Sequence, residues 1–194
     1  ETRLRRNPAT MEDLRAILSY RLSHTHTQPP GFVTDAAGPL AIHAEYTRDE
    51  ILVGLGHWTL ANRPDFREGV LHLADSKVDA FFVTLQKTEE EYSPTTMYED
   101  YAISHDLFHW QSQSTTSADS PTGRRYTEHQ IRGYTPLLFV REFKRLPSGL
   151  AAPYAFLGPA DYVSHTGSRP MSIVWGLRHP MPARMLRPMA RQRI

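Results

Sequence analysis

The stretch VDAFFVTLQK, Val78 to Lys87, decides how this chain folds. Successive side chains of an extended backbone alternate, so Ala80, Phe82 and Thr84 face one way and Phe81, Val83 and Leu85 the other. Both sets are largely apolar, which predicts a strand covered on both faces. A second strong strand, LLFVREFK, runs from Leu137 to Lys144. Working outward, Gly69–Ala74 pairs with the first strand through a turn at Asp75-Ser76-Lys77. Pro147-Ser148-Gly149 turns the second into a strand over Tyr154–Leu157, which Gly158-Pro159 closes. A further strand, Ile173–Leu177, follows a loop at Ser164–Pro170, and a short extended piece lies near Leu40–Ala44. Strands outnumber helices and do not alternate with them. The expected class is α+β: a mainly antiparallel sheet that can take a barrel-like form, with two or three helices.

One helix is expected between Glu1 and Gln28, with Thr10 as N-cap, Asp13 three residues on, and Leu14, Ile17, Leu18 and Leu22 at helical spacing. Gln28-Pro29-Pro30-Gly31 then breaks the pattern. Residues 1–30 therefore read as a helical linker from an upstream domain, in keeping with a start that lacks an initiator methionine. A second helix begins at Thr47, where Thr47-x-x-Glu50 forms a capping box ahead of Ile51, Leu52 and Leu55, and Gly54 or Gly56 ends it. Residues 117–136 are polar and loop-like, with Asp119-Ser120-Pro121 and Gly123 as turn residues. Residues 31–180 form the α+β domain. Residues 181–194, with Arg184, Arg187, Arg191 and Arg193, read as a solvated basic tail.

Composition narrows the function. No cysteine is present, which excludes disulfides, thiolate metal sites and a cysteine nucleophile and fits a reducing compartment. No apolar run approaches the roughly 20 residues that span a bilayer, so no membrane partner and a cytoplasmic location are expected. The net charge of +1 conceals a polarity. Five arginines against three acids leave residues 1–30 at +2, thirteen acids against five bases leave 31–100 at −8, and twelve bases against five acids leave 101–194 at +7. A basic second half attached to an acidic middle favours a polyanion on one side of the molecule.

The densest mixture of recognition chemistry is Thr95–Thr116, TTMYEDYAISHDLFHWQSQSTT. Tyr98, Tyr101, Phe108 and Trp110 offer rings for stacking. His105, His109, Gln111, Gln113 and the neighbouring hydroxyls offer directional hydrogen bonds with little net charge. Strand alternation leaves Trp110 with a second reading, inward beside Phe108 as core, in which His109 and Gln111 remain outside as ligand contacts.

Three blocks carry a family resemblance: YEDYAISHDLFHWQSQS at Tyr98–Ser114, LLFVREFKR at Leu137–Arg145 and PYAFLGPADYVSHTGSRPMSIVW at Pro153–Trp175. With HAEYTRDEILVGLG and VDAFFVTLQK they make residues 40–178 resemble a domain of unknown function at the C-terminal end of bacterial superfamily-two helicases. There it lies downstream of the helicase core and of a phospholipase-D-like nuclease module. The resemblance implies a role in DNA processing and in restriction-type defence against foreign DNA, including phage, with the helicase core and nuclease module as partners in the same chain. It transfers no catalytic residue. The Walker phosphate loop and the nuclease module's His-x-Lys do not occur here.

Read from the residues, DNA binding needs cations for phosphate and polar or aromatic groups for bases. Arg124, Arg125, Arg132, Arg141, Lys144, Arg145 and Arg169 supply the first; His109, Trp110, Gln111 and Gln113 supply the second. Tyr162, His165, Arg169 and Pro170 form a further loop cluster suited to a phosphate or to an altered base or backbone. Modified DNA is thus a ligand class to consider. The expected function is a non-catalytic DNA-binding accessory module with no cofactor and no metal. The alternative is a Mg²⁺ nuclease of the PD-(D/E)xK kind, in which Glu142 and Lys144, two apart on one strand, share a face with an upstream Asp79, Asp100, Asp106 or Asp119.

Overall fold

The structure, a computed structural model, describes residues 7–24, 35–86 and 100–190. The Gln28–Gly31 break, Tyr98, Arg191 and Arg193 lie outside the described residues. Among the described residues the elements are α1 (Pro8–His24), β1 (Glu45–Tyr46), α2 (Arg48–Gly54), β2 (Val70–Leu73), β3 (Val78–Thr84), β4 (Tyr101–Ala102), β5 (Leu107–Gln111), α3 (Pro121–Thr127), α4 (His129–Arg132), β6 (Thr135–Arg141), β7 (Tyr154–Thr166), β8 (Ser172–Leu177) and α5 (Ala183–Met189). A single turn of 3₁₀ helix occupies Asp35–Ala37. No helix among the described residues is long and apolar enough to cross a membrane.

The fold is α+β, built on an eight-stranded, mostly antiparallel sheet with five α-helices among the described residues. The order is β2-β3-β6-β7-β8-β5-β4, with β1 also on β7, and the sheet does not close into a barrel. Among the paired strands of the described residues only β3 and β6 run parallel, from Val78 opposite Thr135 to Thr84 opposite Arg141.

Every residue of β3 is buried, and its alternation divides the interior as the side-chain period predicts. Ala80 and Phe82 join Leu137, Phe139, Tyr154 and Phe156 under Ile51 and Leu52 of α2. Phe81 and Val83 join Leu138, Val140 and Leu157 against Phe108, Trp110, Ile173 and Trp175 of the other half of the sheet. Each such large apolar side chain contributes roughly 1.5–3 kcal/mol by leaving water. The central strands are thus the middle layer between two cores.

Strand β7 joins the two halves, and here the expected boundary fails. Gly158-Pro159 does not close the strand, which continues to Thr166. A register shift between Leu138 and Phe139 of β6 absorbs an extra β7 residue, and Gly158, at φ +93°, takes a conformation that only glycine enters freely. Beyond it β7 leaves β6 and pairs with β8, from Ala160 opposite Leu177 to Thr166 opposite Ser172.

Three other expectations change. The N-cap of α1 is Asn7, whose Oδ1 accepts from the Thr10 N–H at 3.3 Å, so Thr10 lies inside the helix. Residues 117–136 are not loop: Ser120 caps α3 by accepting from the Gly123 N–H at 3.0 Å, Pro121 occupies the first turn, and α4 follows. The supposed basic tail folds as α5. Met181, Met185 and Met189 are buried in the second core, and Ala190 bridges Ala102 in parallel, so the solvated reading fails for residues 181–190. Methionines at four-residue spacing outweigh the arginines between them, whose heads stay in water. The Thr47–Glu50 capping box is present as read, with both reciprocal bonds.

Candidate functional site

Where β3, β6 and β7 present the edge of their first core, a cleft of about 580 Å³ opens between α2 and the segment after β6. Phe66, Phe82 and Tyr154 form its floor, and five cationic side chains against two acidic ones line it: Arg48, Arg67, Arg141, Lys144 and Arg145 with Asp49 and Glu68. Arg48 opens α2 directly after the Thr47 cap. Its guanidinium carbon lies 4.8 Å from the Phe82 ring centroid, 5.3 Å from Phe66 and 6.0 Å from Tyr154. Its nitrogens donate to the carbonyls of Phe66 and Glu68 at 3.4 and 3.3 Å and to the Tyr154 hydroxyl at 3.2 Å.

Arg141 ends β6 and lies over the same tyrosine ring, 4.3 Å from its centroid. It donates to Thr84 Oγ1 at 3.0 Å and to the Ala152 carbonyl at 3.2 Å. Every acceptor recorded for these two guanidiniums is therefore neutral, and among the described residues neither forms an ion pair. Two half-buried cations that line one cleft without a carboxylate on either leave it positive, which favours an anionic ligand. The floor rings are themselves covered, with Phe66 at 8%, Phe82 at 6% and Tyr154 at 1% exposure. The cleft offers charge rather than an open stacking face.

The residues expected to bind nucleic acid are divided by the fold. Arg141 and Lys144 line this cleft, and Arg145, which donates to the Gly149 carbonyl at 2.7 Å, lines it with them. His109 and Gln111 lie on the outward side of β5: His109 stacks on Tyr101 at 4.7 Å, and Gln111 Nε2 donates to Ser172 Oγ at 3.2 Å. Neither lines the cleft. Gln113 is exposed beyond the strand, and Arg124 is exposed on α3. Arg169, whose N–H donates to the Thr116 carbonyl at 3.1 Å, precedes Pro170 in an exposed turn with a cis peptide bond.

Four expectations are corrected. Trp110 is no surface ring: it is 6% exposed, edge-on to Phe81 at 4.6 Å and to Tyr126 at 5.6 Å. Arg125 is not offered to phosphate, because its Nε donates to Asp79 Oδ2 at 2.7 Å in an almost sealed pair. Arg132 is engaged by Glu128 one turn away at 2.6 Å. Tyr162 and His165 belong to β7 rather than to a loop. A bulge between Tyr162 and Ser164 brings the two, three residues apart, to one side of the strand, where the Tyr162 hydroxyl lies 2.7 Å from His165 Nδ1.

The Glu142–Lys144 pair is likewise separated. Strand β6 ends at Arg141, and the chain bends at Glu142. Lys144 opens onto the 580 Å³ cleft, whereas Glu142 opens onto a smaller one of about 230 Å³ with Glu45 and Arg184. Three of the four acids expected to join them are engaged elsewhere, and Asp119 is exposed ahead of α3 and lines neither cleft. Asp79 holds Arg125 and lies 3.0 Å from His72 Nδ1, Asp100 accepts from the Gln111 N–H, and Asp106 accepts from Ser104 Oγ. Among the described residues no three metal-binding side chains converge.

Sequence reasoning missed Arg48 and Arg67 because both sit in the acidic middle. A local signal existed for Arg48. A cation in the first turn of a helix opposes the helix dipole, so its presence there beside Asp49 and Glu50 calls for a tertiary reason.

Residues 40–189 match the family described as a domain of unknown function, DUF3427. The chain belongs to this family. The match takes in every residue lining the cleft and ends at Met189, the last residue of α5, so the docked helix is part of the DUF3427 domain. A search of the curated proteins finds no match to the chain.

Proposed function

We propose that this DUF3427 domain is a non-catalytic DNA-binding module that takes the phosphate backbone in the Arg48–Arg141 cleft. The observation that carries the reading is the pair of guanidiniums held on the Tyr154 ring by neutral acceptors. Their charge is placed at a cost and left for a ligand. Planar guanidinium forks suit phosphate oxygens, and Lys144 and Arg145 extend the positive wall. His109 and Gln111 on the β5 face are a separate surface for base or sugar contacts.

The resemblance in the sequence supports placing the domain with a helicase core and a phospholipase-D-like nuclease module, in defence against foreign DNA. Sensing of a base or backbone modification belongs to the same proposal. The nuclease alternative is not carried further, since Glu142 and Lys144 open onto different clefts.

The test is a salt titration of the chain on unmodified, base-modified and backbone-modified DNA. Binding should weaken linearly in log affinity against log salt. Arg48→Ala with Arg141→Ala should abolish it while leaving the melting curve cooperative. Binding that ignores salt, or that survives the double substitution, would remove the proposal.

A further inference from the structure

We infer that the cleft's ligand is single-stranded, its phosphates held by Arg48 and Arg141 and its unpaired bases received by an apolar arm beside them. This rests on the DNA-binding reading above and goes beyond it in naming the strand state. The arm is the hairpin that follows β6. The Ala152 N–H donates to the Lys144 carbonyl at 3.1 Å, Arg145 bridges Ala151, and the Leu146 N–H donates to the Leu150 carbonyl at 2.8 Å around a tight turn at Gly149. Its stem residues Lys144, Arg145 and Ala151 form one wall of the cleft.

The outer surface of this arm is apolar where a surface loop is ordinarily polar. Phe143 is 47% exposed, Leu146 42% and Leu150 68%, within eight residues of one another and flanked by the cations of the wall. The cleft's own rings cannot receive bases, because they are buried and already carry the guanidiniums. None of these three lines the cleft itself, but they sit on the arm whose stem is its wall, so a strand that leaves the cleft over that arm passes from charge to an exposed phenyl and two isobutyl groups. Bases in an intact duplex are stacked inside it and cannot reach such a surface, whereas unpaired bases present their faces to it. The charge selects a polyanion and the apolar arm selects one with exposed rings.

The experiment measures fluorescence anisotropy of the full chain with a labelled single-stranded DNA, the same sequence as duplex, and vesicles of anionic lipid. The proteins compared are the wild type, Arg48→Ala, and Phe143→Ser combined with Leu146→Ser and Leu150→Ser. These three side chains are exposed, and the melting curve checks that the fold is kept. The wild type should prefer the single strand by roughly tenfold, the lower part of what stacking one or two bases contributes. The triple variant should lose that preference and keep its duplex affinity, and Arg48→Ala should weaken both. Equal affinity for both DNAs, unchanged in the triple variant, would overturn this inference and leave the DNA-binding reading in place. Duplex binding lost equally in the triple variant would also overturn it, by showing an arm that enters paired DNA. No salt-sensitive binding to either DNA, or tighter binding to vesicles, would remove the DNA-binding reading and this inference with it.

Discussion

Arg125 and Asp79 form an ion pair across 46 residues of chain, Nε to Oδ2 at 2.7 Å, with the arginine side chain 15% and the aspartate 2% exposed. The same carboxylate lies 3.0 Å from His72 Nδ1, so α3, β3 and β2 meet at one buried acid. Arg125→Ala leaves that buried acid with His72 alone beside it and should cost about 3–5 kcal/mol. Chemical denaturation reads the loss. DNA affinity per folded molecule should not change, in contrast to substitutions in the cleft.

Each of Arg48→Ala and Arg141→Ala should weaken DNA binding whatever the sequence, and lower the slope of log affinity against log salt by about one. Lysine at either position keeps the charge but loses the fork and the ring contact, so it should restore the slope without restoring the affinity. Anisotropy titrations at several salt concentrations separate the two effects.

Trp110→Ala should unfold the domain rather than blunt recognition. The ring lies among Phe81, Tyr126 and the second core, and its removal should cost about 3–5 kcal/mol. Burial also raises the pKa of its neighbour Tyr126 well above the usual phenol range, with the Asp79 charge adding to the effect. Denaturant midpoints of Trp110→Ala and Trp110→Phe, the second falling less, check the packing role.

Gly123→Ala tests the start of α3. A Cβ there would collide with the Ser117 carbonyl oxygen and stand 2.8 Å from that of Ala118, both backbone atoms that cannot turn aside. The substitution should destabilise by more than the roughly 1 kcal/mol expected of losing the cap in Ser120→Ala. Thermal melts of the two variants rank them.

His43 makes stability depend on pH. Burial lowers its pKa, outweighing the backbone hydrogen bond with His179 that raises it, and Arg184 adds to the lowering; its Nε2 is buried without a partner among the described residues. A lowered folded pKa means the unfolded chain binds the proton first. The contribution is therefore fully present above the unfolded value near 6.5 and lost as pH falls through the lower folded one. His43→Asn suits the left-handed backbone at φ 65° and should flatten the fall in melting temperature between about pH 7 and pH 5. A profile identical to the wild type's would remove this assignment.

Much of the fold could be read locally. The two-faced burial of Val78–Thr84 follows from alternation alone, and its two sets of side chains enter two different cores. The Thr47–Glu50 box needed only four residues, and the outward placement of His109 and Gln111 opposite Phe108 and Trp110 needed only the strand period. The failures share another character. The passage of β7 through Gly158-Pro159 depends on a bulge opposite β6, and the docking of α5 depends on a methionine-lined core that other strands build. The candidate site was half visible: Arg141, Lys144 and Arg145 stand out by their charge, whereas Arg48 and Arg67 are hidden in an acidic segment.

By itself the sequence determined the central strands and the Thr47-capped helix, which of their faces are apolar, and that cations gather in the second half. These are local properties of side-chain period, capping and composition. Only the tertiary structure decided which cations are already neutralised. It placed Arg125 on Asp79 and left Arg48 and Arg141 over Tyr154 with neutral acceptors. A side chain's net charge is written in its residue type, but its partner is set by distance, and distance between residues so far apart in the chain exists only once the sheet has formed.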